Sequence, residues 1–303
     1  MSTKCKLFPY KYQPITSVLS DSQQYGWNIT SFGLPKVWEK TQGEGVIVAV
    51  IDTGCDLTHP DLKDNLVEGY NFIDEKKPPM DDKIHGTHVS GIICASNNSI
   101  GMVGVAPKAK VMPIKALDSK GNGTLETVSK AIRYAVDKKV DIICMSLGSP
   151  SPLQQVRKAI KLADQNGIPV FVAAGNAGKT QEVFYPAAYP ETIAIGSIDS
   201  NFNRSDFSNT GKNLDFMAPG GKIFSTIPSH WYGILSGTSM ACPYAAGIAA
   251  LMLSYSRANN NCIKLENTND YREEFKKHTT PIKSINAGDK FFEGFGIIDI
   301  SKL

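Results

Sequence analysis

The chain is predicted to fold as an α/β domain, with a central, mostly parallel sheet flanked by helices on both faces. Short β-branched apolar runs recur along it, each bounded by Gly, Pro or Asp. Amphipathic stretches of helical length separate them. Strand, helix, strand repeated in this way requires right-handed crossovers, which bury both faces of the sheet under helices.

In chain order, residues 46–51 make the first strand, since Val46, Val48, Val50 and Ile51 form an uninterrupted apolar run before Asp52. Residues 85–96 follow as a helix and 110–115 as a strand. Residues 125–138 make a second helix, 140–146 a strand, and 153–166 a third helix closed by Asn166-Gly167 and Pro169. Strands at 169–174 and 192–197 continue the pattern. A tight turn at 237–238 then feeds an apolar helix with Ser239 near its start. In such sheets ligands bind beyond the carboxyl ends of the strands, which puts Asp52 and Asn176 on one edge. No linker or internal repeat divides the chain after residue 40, and its 303 residues with 42% hydrophobic content suffice for one sizeable core.

A formal charge of +3 from scattered lysines indicates neither a nucleic-acid nor a membrane surface. The apolar stretches 46–51 and 245–253 are far shorter than the ~20 residues of a spanning helix. Residues 1–10 carry two lysines but no apolar run after them, so no secretory signal is expected. Of six cysteines, Cys94, Cys144 and Cys242 lie in apolar segments. Buried free thiols in a reducing cytoplasm are therefore expected, and no Cys-x-x-Cys pair suggests a zinc cluster.

Three segments carry chemistry. Val50-Ile51-Asp52-Thr53-Gly54 places a carboxylate at a strand end, where an acid can be held rigid or a turn formed. His85-Gly86-Thr87-His88 puts a ring at a helix start beside small residues. Two histidines three apart could also bind metal, but His59, His230 and His278 are isolated and supply no third ligand. Gly237-Thr238-Ser239-Met240-Ala241 sets a serine at a helix N-terminus, either as a cap or where the helix dipole favours an oxyanion.

In order and spacing these segments resemble those of the subtilisin-like serine proteases, from about residue 25 to 300. The resemblance implies the three-layer subtilisin-like fold and a serine endopeptidase for protein or peptide substrates. It assigns Ser239 as nucleophile, His85 as base, Asp52 as the group that orients His85, and Asn176 as oxyanion donor. His88 would be structural. It further implies substrate-binding edges at Gly121 and Gly123 and at Ser146, Leu147 and Gly148, with Leu125 as an outer wall. Ala173, Ala174 and Gly175 would line the pocket for the residue before the cleaved bond, which Phe184, standing where the family has a small residue, is expected to narrow. Calcium is implied at Asp61, Ser96, Asn98, Ile100 and Met102, with Asp21 as a further oxygen ligand. Tyr244 departs from the family's histidine after the serine segment, which puts helix packing in question there.

Leu7-Phe8-Pro9-Tyr10 and the absent signal resemble the intracellular subtilisins, whose short N-terminal segment lies across the active site. Residues 1–20 are thus expected to be an inhibitory extension, cut near residues 18–20, ahead of a catalytic domain at 21–303. A homodimer is also implied, though the chain ends soon after Ile300. The alternative activity is a dedicated processing protease, such as one removing leader peptides.

Overall fold

The computed structural model describes residues 4–15, 22–284 and 286–303. Its strands are β1 (Cys5–Leu7), β2 (Lys11–Pro14), β3 (Ile47–Asp52), β4 (Tyr70–Asn71), β5 (Lys110–Lys115), β6 (Asn122–Gly123), β7 (Ile142–Met145), β8 (Leu147–Gly148), β9 (Val170–Ala173), β10 (Ile193–Ile198), β11 (Phe216–Pro219), β12 (Ile223–Ile227), β13 (Trp231–Ser236), β14 (Thr279–Thr280) and β15 (Ile297–Ile298). Its helices are α1 (Trp27–Thr30), α2 (Leu34–Val37), α3 (His85–Cys94), α4 (Leu125–Asp137), α5 (Gln154–Gln165), α6 (Thr238–Ala258), α7 (Thr268–Lys277) and α8 (Lys290–Glu293).

Nine strands form the central sheet in the order β14-β15-β11-β10-β9-β7-β3-β5-β4. Every pairing in it is parallel except β14 with β15 at the edge. The inner strands β7, β9, β10 and β11 are buried along their whole length, as a sheet covered on both faces requires. Helices α4 and α5 pack together, burying one stripe each: Val128, Ala131, Ile132 and Ala135 on α4, and Val156, Ala159, Ile160 and Ala163 on α5. Helices α3 and α6 pack on one another as a second pair, and both are buried nearly all round. The result is the expected three-layer α/β fold.

The expected elements are present with ends shifted by two residues or fewer. Five of the six cysteines are buried free thiols, and Cys262 is exposed. Tyr244 is accommodated without a break in α6: its ring is buried 5.5 Å from that of Phe32, and its hydroxyl has no hydrogen-bond partner among the described residues.

Two small sheets decide what the sequence could not. In one, β1 is sandwiched antiparallel between β6 and β8; in the other, β2 adds to the free edge of β13, whose other side is taken by β12. The N-terminal segment is therefore woven into the body of the protein at two places.

Candidate active site

Strands β9, β7 and β3 are neighbours in the sheet, and their carboxyl ends deliver Asn176, Ser146 and Asp52 to one edge. Asp52 is fully buried and accepts from His85 Nδ1 at 2.8 Å (Oδ1) and 3.0 Å (Oδ2), and from the Thr53 N–H at 2.8 Å. Pairing through Nδ1 turns the His85 Nε2, on the opposite side of the ring, away from the carboxylate.

Several contacts hold His85 in place. A Cβ on Gly86 would lie 2.1 Å from the Gly54 carbonyl oxygen, so only glycine lets α3 approach the loop after β3. Ile84, just before the helix, has φ 111°, which a β-branched residue adopts only under constraint. The Asp81 carboxylate supplies that constraint: Oδ1 accepts from Thr53 Oγ1, Lys83 N and Ile84 N, and Oδ2 from the N–H and hydroxyl of Thr87. One turn on, His88 places Nε2 between the carbonyls of Ile223 and Gly233, and burial pulls its pKa down to about 3. It is a neutral structural residue, as expected.

Ser239 sits in the first turn of α6. Pro243, four residues on, has no N–H to give the Ser239 carbonyl, and that carbonyl accepts the Ser146 hydroxyl at 2.9 Å instead. In return Ser239 Oγ points to the Ser146 carbonyl at 3.4 Å, while His85 Nε2 has no hydrogen-bond partner among the described residues. Beneath this turn the Cys144 and Cys242 sulfurs lie 3.6 Å apart as thiols.

Asn176 is fixed through its Oδ1, which accepts from the N–H (2.8 Å) and hydroxyl (2.7 Å) of Thr238. That leaves Nδ2 facing the cleft. A Cβ on Gly237 would stand 2.8 Å from Nδ2, so this glycine keeps the amide's position open.

The cleft holds the chain's own N-terminal segment. Cys5 pairs with Gly123, Lys6 with Asn122 and Gly148, and Leu7 with Leu147; the Leu7 N–H donates to the Gly121 carbonyl at 3.0 Å. Leu125 begins α4 two residues beyond Gly123. Phe8 and Phe184, their ring centroids 5.9 Å apart, line a cavity of about 460 Å³ together with Pro9 and Gly148 among others. Phe184 lies against the wall formed by Ala174 and Gly175: its N–H donates to the Ala174 carbonyl, and a Cβ on Gly175 would come within 3.1 Å of its ring. Ala173 ends the strand leading into that wall. The Pro9 carbonyl accepts from Asn176 Nδ2 at 2.8 Å, and the Tyr10 ring covers His85 at 5.2 Å. Burial, with the charges of Asp52 and Asp81, pushes the Tyr10 phenol up to about 12. Ser239 and His85 are both fully enclosed.

On the far side of α3 the expected metal loop closes on itself. The Ser96 carbonyl (2.7 Å), the Met102 carbonyl (3.1 Å) and Asn98 Oδ1 (3.4 Å) converge on the side-chain amide of Gln23. Asp61 accepts from Asn98 Nδ2, the Met102 N–H and the Tyr232 hydroxyl. Oxygen acceptors gathered about one point beside a carboxylate are a donor set for a hard cation, and turning the Gln23 amide over would add its own oxygen. Ile100 contributes only its N–H, to Asn98. Asp21 lies outside the described residues, as do residues 18–20.

Gln23, Asp81 and Tyr232 escaped the sequence reading. The Asp81-Asp82 pair just ahead of His85 was a visible signal for the second of them. Nothing local marks the other two, which meet the loop only through the fold.

Comparison with known proteins matches residues 43–292 to the family described as the Subtilase family. The chain is 43% identical over 265 residues to the major intracellular serine protease of Bacillus subtilis (strain 168), covering 84% of this chain and 82% of that protein. It is 41% identical over 270 residues to the intracellular serine protease of Paenibacillus polymyxa, covering 86% and 81%. To thermitase of Thermoactinomyces vulgaris it is 41% identical over 251 residues, covering 82% and 89%. No helix among the described residues is long and apolar enough to cross a membrane.

Proposed function

Because the chain belongs to the subtilase family, and is with it a serine endopeptidase acting on protein or peptide substrates, we propose that Ser239 is its nucleophile and that residues 1–20 hold it latent. Ser239 Oγ attacks the carbonyl carbon of the bound peptide as His85 Nε2 takes the hydroxyl proton. Asp52 keeps the ring in the required tautomer and stabilises the imidazolium. Asn176 Nδ2 and the Ser239 N–H hold the tetrahedral oxyanion. Its collapse breaks the C–N bond, and His85 passes its proton to the leaving amine. Water then attacks the acyl-serine by the same route. The observation that carries this reading is that Asn176 Nδ2 already donates to a peptide carbonyl, that of Pro9, beside Ser239 and the Asp52–His85 pair.

Latency is supported by the same contact. Residues 5–7 and 11–14 fill the two sides of the cleft as strands, residues 8–10 bridge them over the enclosed reacting side chains, and Ser239 Oγ is turned toward Ser146. Proline at position 9 lacks the N–H and the backbone freedom that an extended substrate uses there. Phe184 narrows the pocket for the residue before the cleaved bond. Calcium binds through Asp61, Asn98 and the carbonyls of Ser96 and Met102, with Gln23 completing the set and Asp21 and Ile100 as the remaining candidates from the sequence; it supplies rigidity, not chemistry. The buried free thiols and the intracellular relatives support a cytoplasmic location.

The test is labelling with a fluorophosphonate during incubation with casein and calcium, followed by mass spectrometry, with Ser239→Ala as control. Label on Ser239 that rises as residues 1–20 are lost, together with casein cleavage absent from the control, is the expected result. Labelling at full rate with the segment intact overturns latency, and cleavage by the control overturns the assignment of Ser239.

A further inference from the structure

Beyond the reacting atoms the docked segment continues into a second set of contacts. Lys11, Tyr12, Gln13 and Pro14 pair antiparallel with Ser236, Leu235, Ile234 and Gly233. Strand β13 is bound on its other side by β12, so β2 occupies its one remaining edge. When β2 leaves, four residues of unpaired backbone face the cleft, a template for any extended chain.

The register of this edge relative to the chemistry is given by Asn176. Its donation to the Pro9 carbonyl makes Tyr10 the first residue after the bond that would be cut, and Lys11 the second. Lys11 lines a cavity of about 320 Å³ together with Asp199, Asp206, Lys222 and Ser236 among others, without an ion pair to either carboxylate. Asp199 is partly committed, since its Oδ1 accepts from the N–H groups of Asn201 and Asn203. Asp206 makes no ion pair among the described residues. Without Lys11 the lining carries two carboxylates and the ammonium of Lys222, with the Arg204 guanidinium acting on Asp206 from beside the cavity. Next along, a Cβ on Gly233 would come within 3.0 Å of the Tyr12 ring, so the missing side chain at 233 leaves room for a large residue above it.

We propose that the Asp199–Asp206 cavity beside the β13 edge selects Lys or Arg at the second residue of the polypeptide that follows the cleaved bond. This rests on the endopeptidase reading above. The docked extension is then a mimic of substrate on this side of the cleft, in contrast to its proline-distorted centre.

The experiment uses the full-length chain, incubated with calcium until its activity on a short anilide substrate is constant. Internally quenched peptides share one sequence before the cut and carry Lys, Gln or Glu at the second position after it. Each is made with two or with five residues beyond the cut. The expected result is a kcat/KM for Lys about fivefold or more above that for Glu, the size that attraction to and repulsion from partly exposed carboxylates provide. The longer peptides are cut faster than the shorter, and Asp206→Lys inverts the Lys-to-Glu ratio. Hydrolysis of the anilide with equal rates across the series, or an Asp206→Lys variant with an unchanged ratio, overturns this inference alone. No hydrolysis of anilide or peptides overturns the endopeptidase reading and this inference with it.

Discussion

Asn176 donates its side-chain amide to the Pro9 carbonyl at 2.8 Å, while Ser239 Oγ, the group that would attack such a carbonyl, faces Ser146. Binding and attack are thus separated within one site. Replacing Pro9 by Ala restores an N–H and backbone freedom at the centre of the segment. The Pro9→Ala chain is expected to cut itself near residue 9 and to reach full activity sooner than the parent, as followed by intact mass against time. Equal lag in the two chains would count against latency. Asn176→Ala should lower turnover of the activated enzyme by about 10²–10³, a size borrowed from the corresponding substitution in a subtilisin.

Asp81 is a positioning residue for His85, since its five accepted hydrogen bonds hold Ile84 at φ 111° and tie Thr53, next to Asp52, to the start of α3. Asp81→Asn turns one acceptor into a donor that faces other donors. It should cost about 1–3 kcal/mol of stability, read as a lower urea midpoint. Misplacement of the ring should lower kcat/KM by as much as about 10²-fold. Adding Ile84→Gly, which accepts positive φ without strain, should restore much of the activity; no recovery would show that Asp81 acts other than through this backbone.

Calcium linkage is expected to be visible in stability. At a calcium concentration about 100 times Kd, binding to the folded state contributes about 2.7 kcal/mol. Chelation should therefore lower the melting temperature of the parent by several degrees and leave Asp61→Ala, already lowered, where it is. A parent indifferent to chelator would remove calcium from the description.

His88 makes stability depend on pH in a defined window. Its folded pKa, about 3, lies below the ordinary value of 6.5, so the unfolded chain binds more protons between them. The contribution is fully present above about pH 6.5 and is lost as pH falls toward 3, by up to about 5 kcal/mol. His88→Gln keeps a donor for the Ile223 and Gly233 carbonyls but cannot titrate. Its urea midpoint should fall less steeply than the parent's across that window, and parallel slopes would exclude His88 as the source.

Strands such as β3, β7 and β9 were legible from sequence because burial on both faces demands unbroken apolar runs, and a run that stops at Asp52 or Gly175 marks its own end. Asp52, His85, Asn176 and Ser239 were legible because each sits in a short motif whose neighbours are dictated by close contacts, as Gly86 against Gly54 and Gly237 against Asn176 demonstrate. Strands β1, β2, β4, β6, β8 and β11 to β15 are not legible in this way. Gln23 and Tyr232 carry no local signal either, since Gln23 reaches Ser96 and Met102 across more than seventy positions of chain and Tyr232 reaches Asp61 across 171. Local order and reaction type follow from side chains acting on their own backbone. Which surface the N-terminal residues cover, which carbonyl reaches Asn176 and which carboxylates share a cavity with Lys11 depend on long-range pairing, and only the tertiary structure decides them.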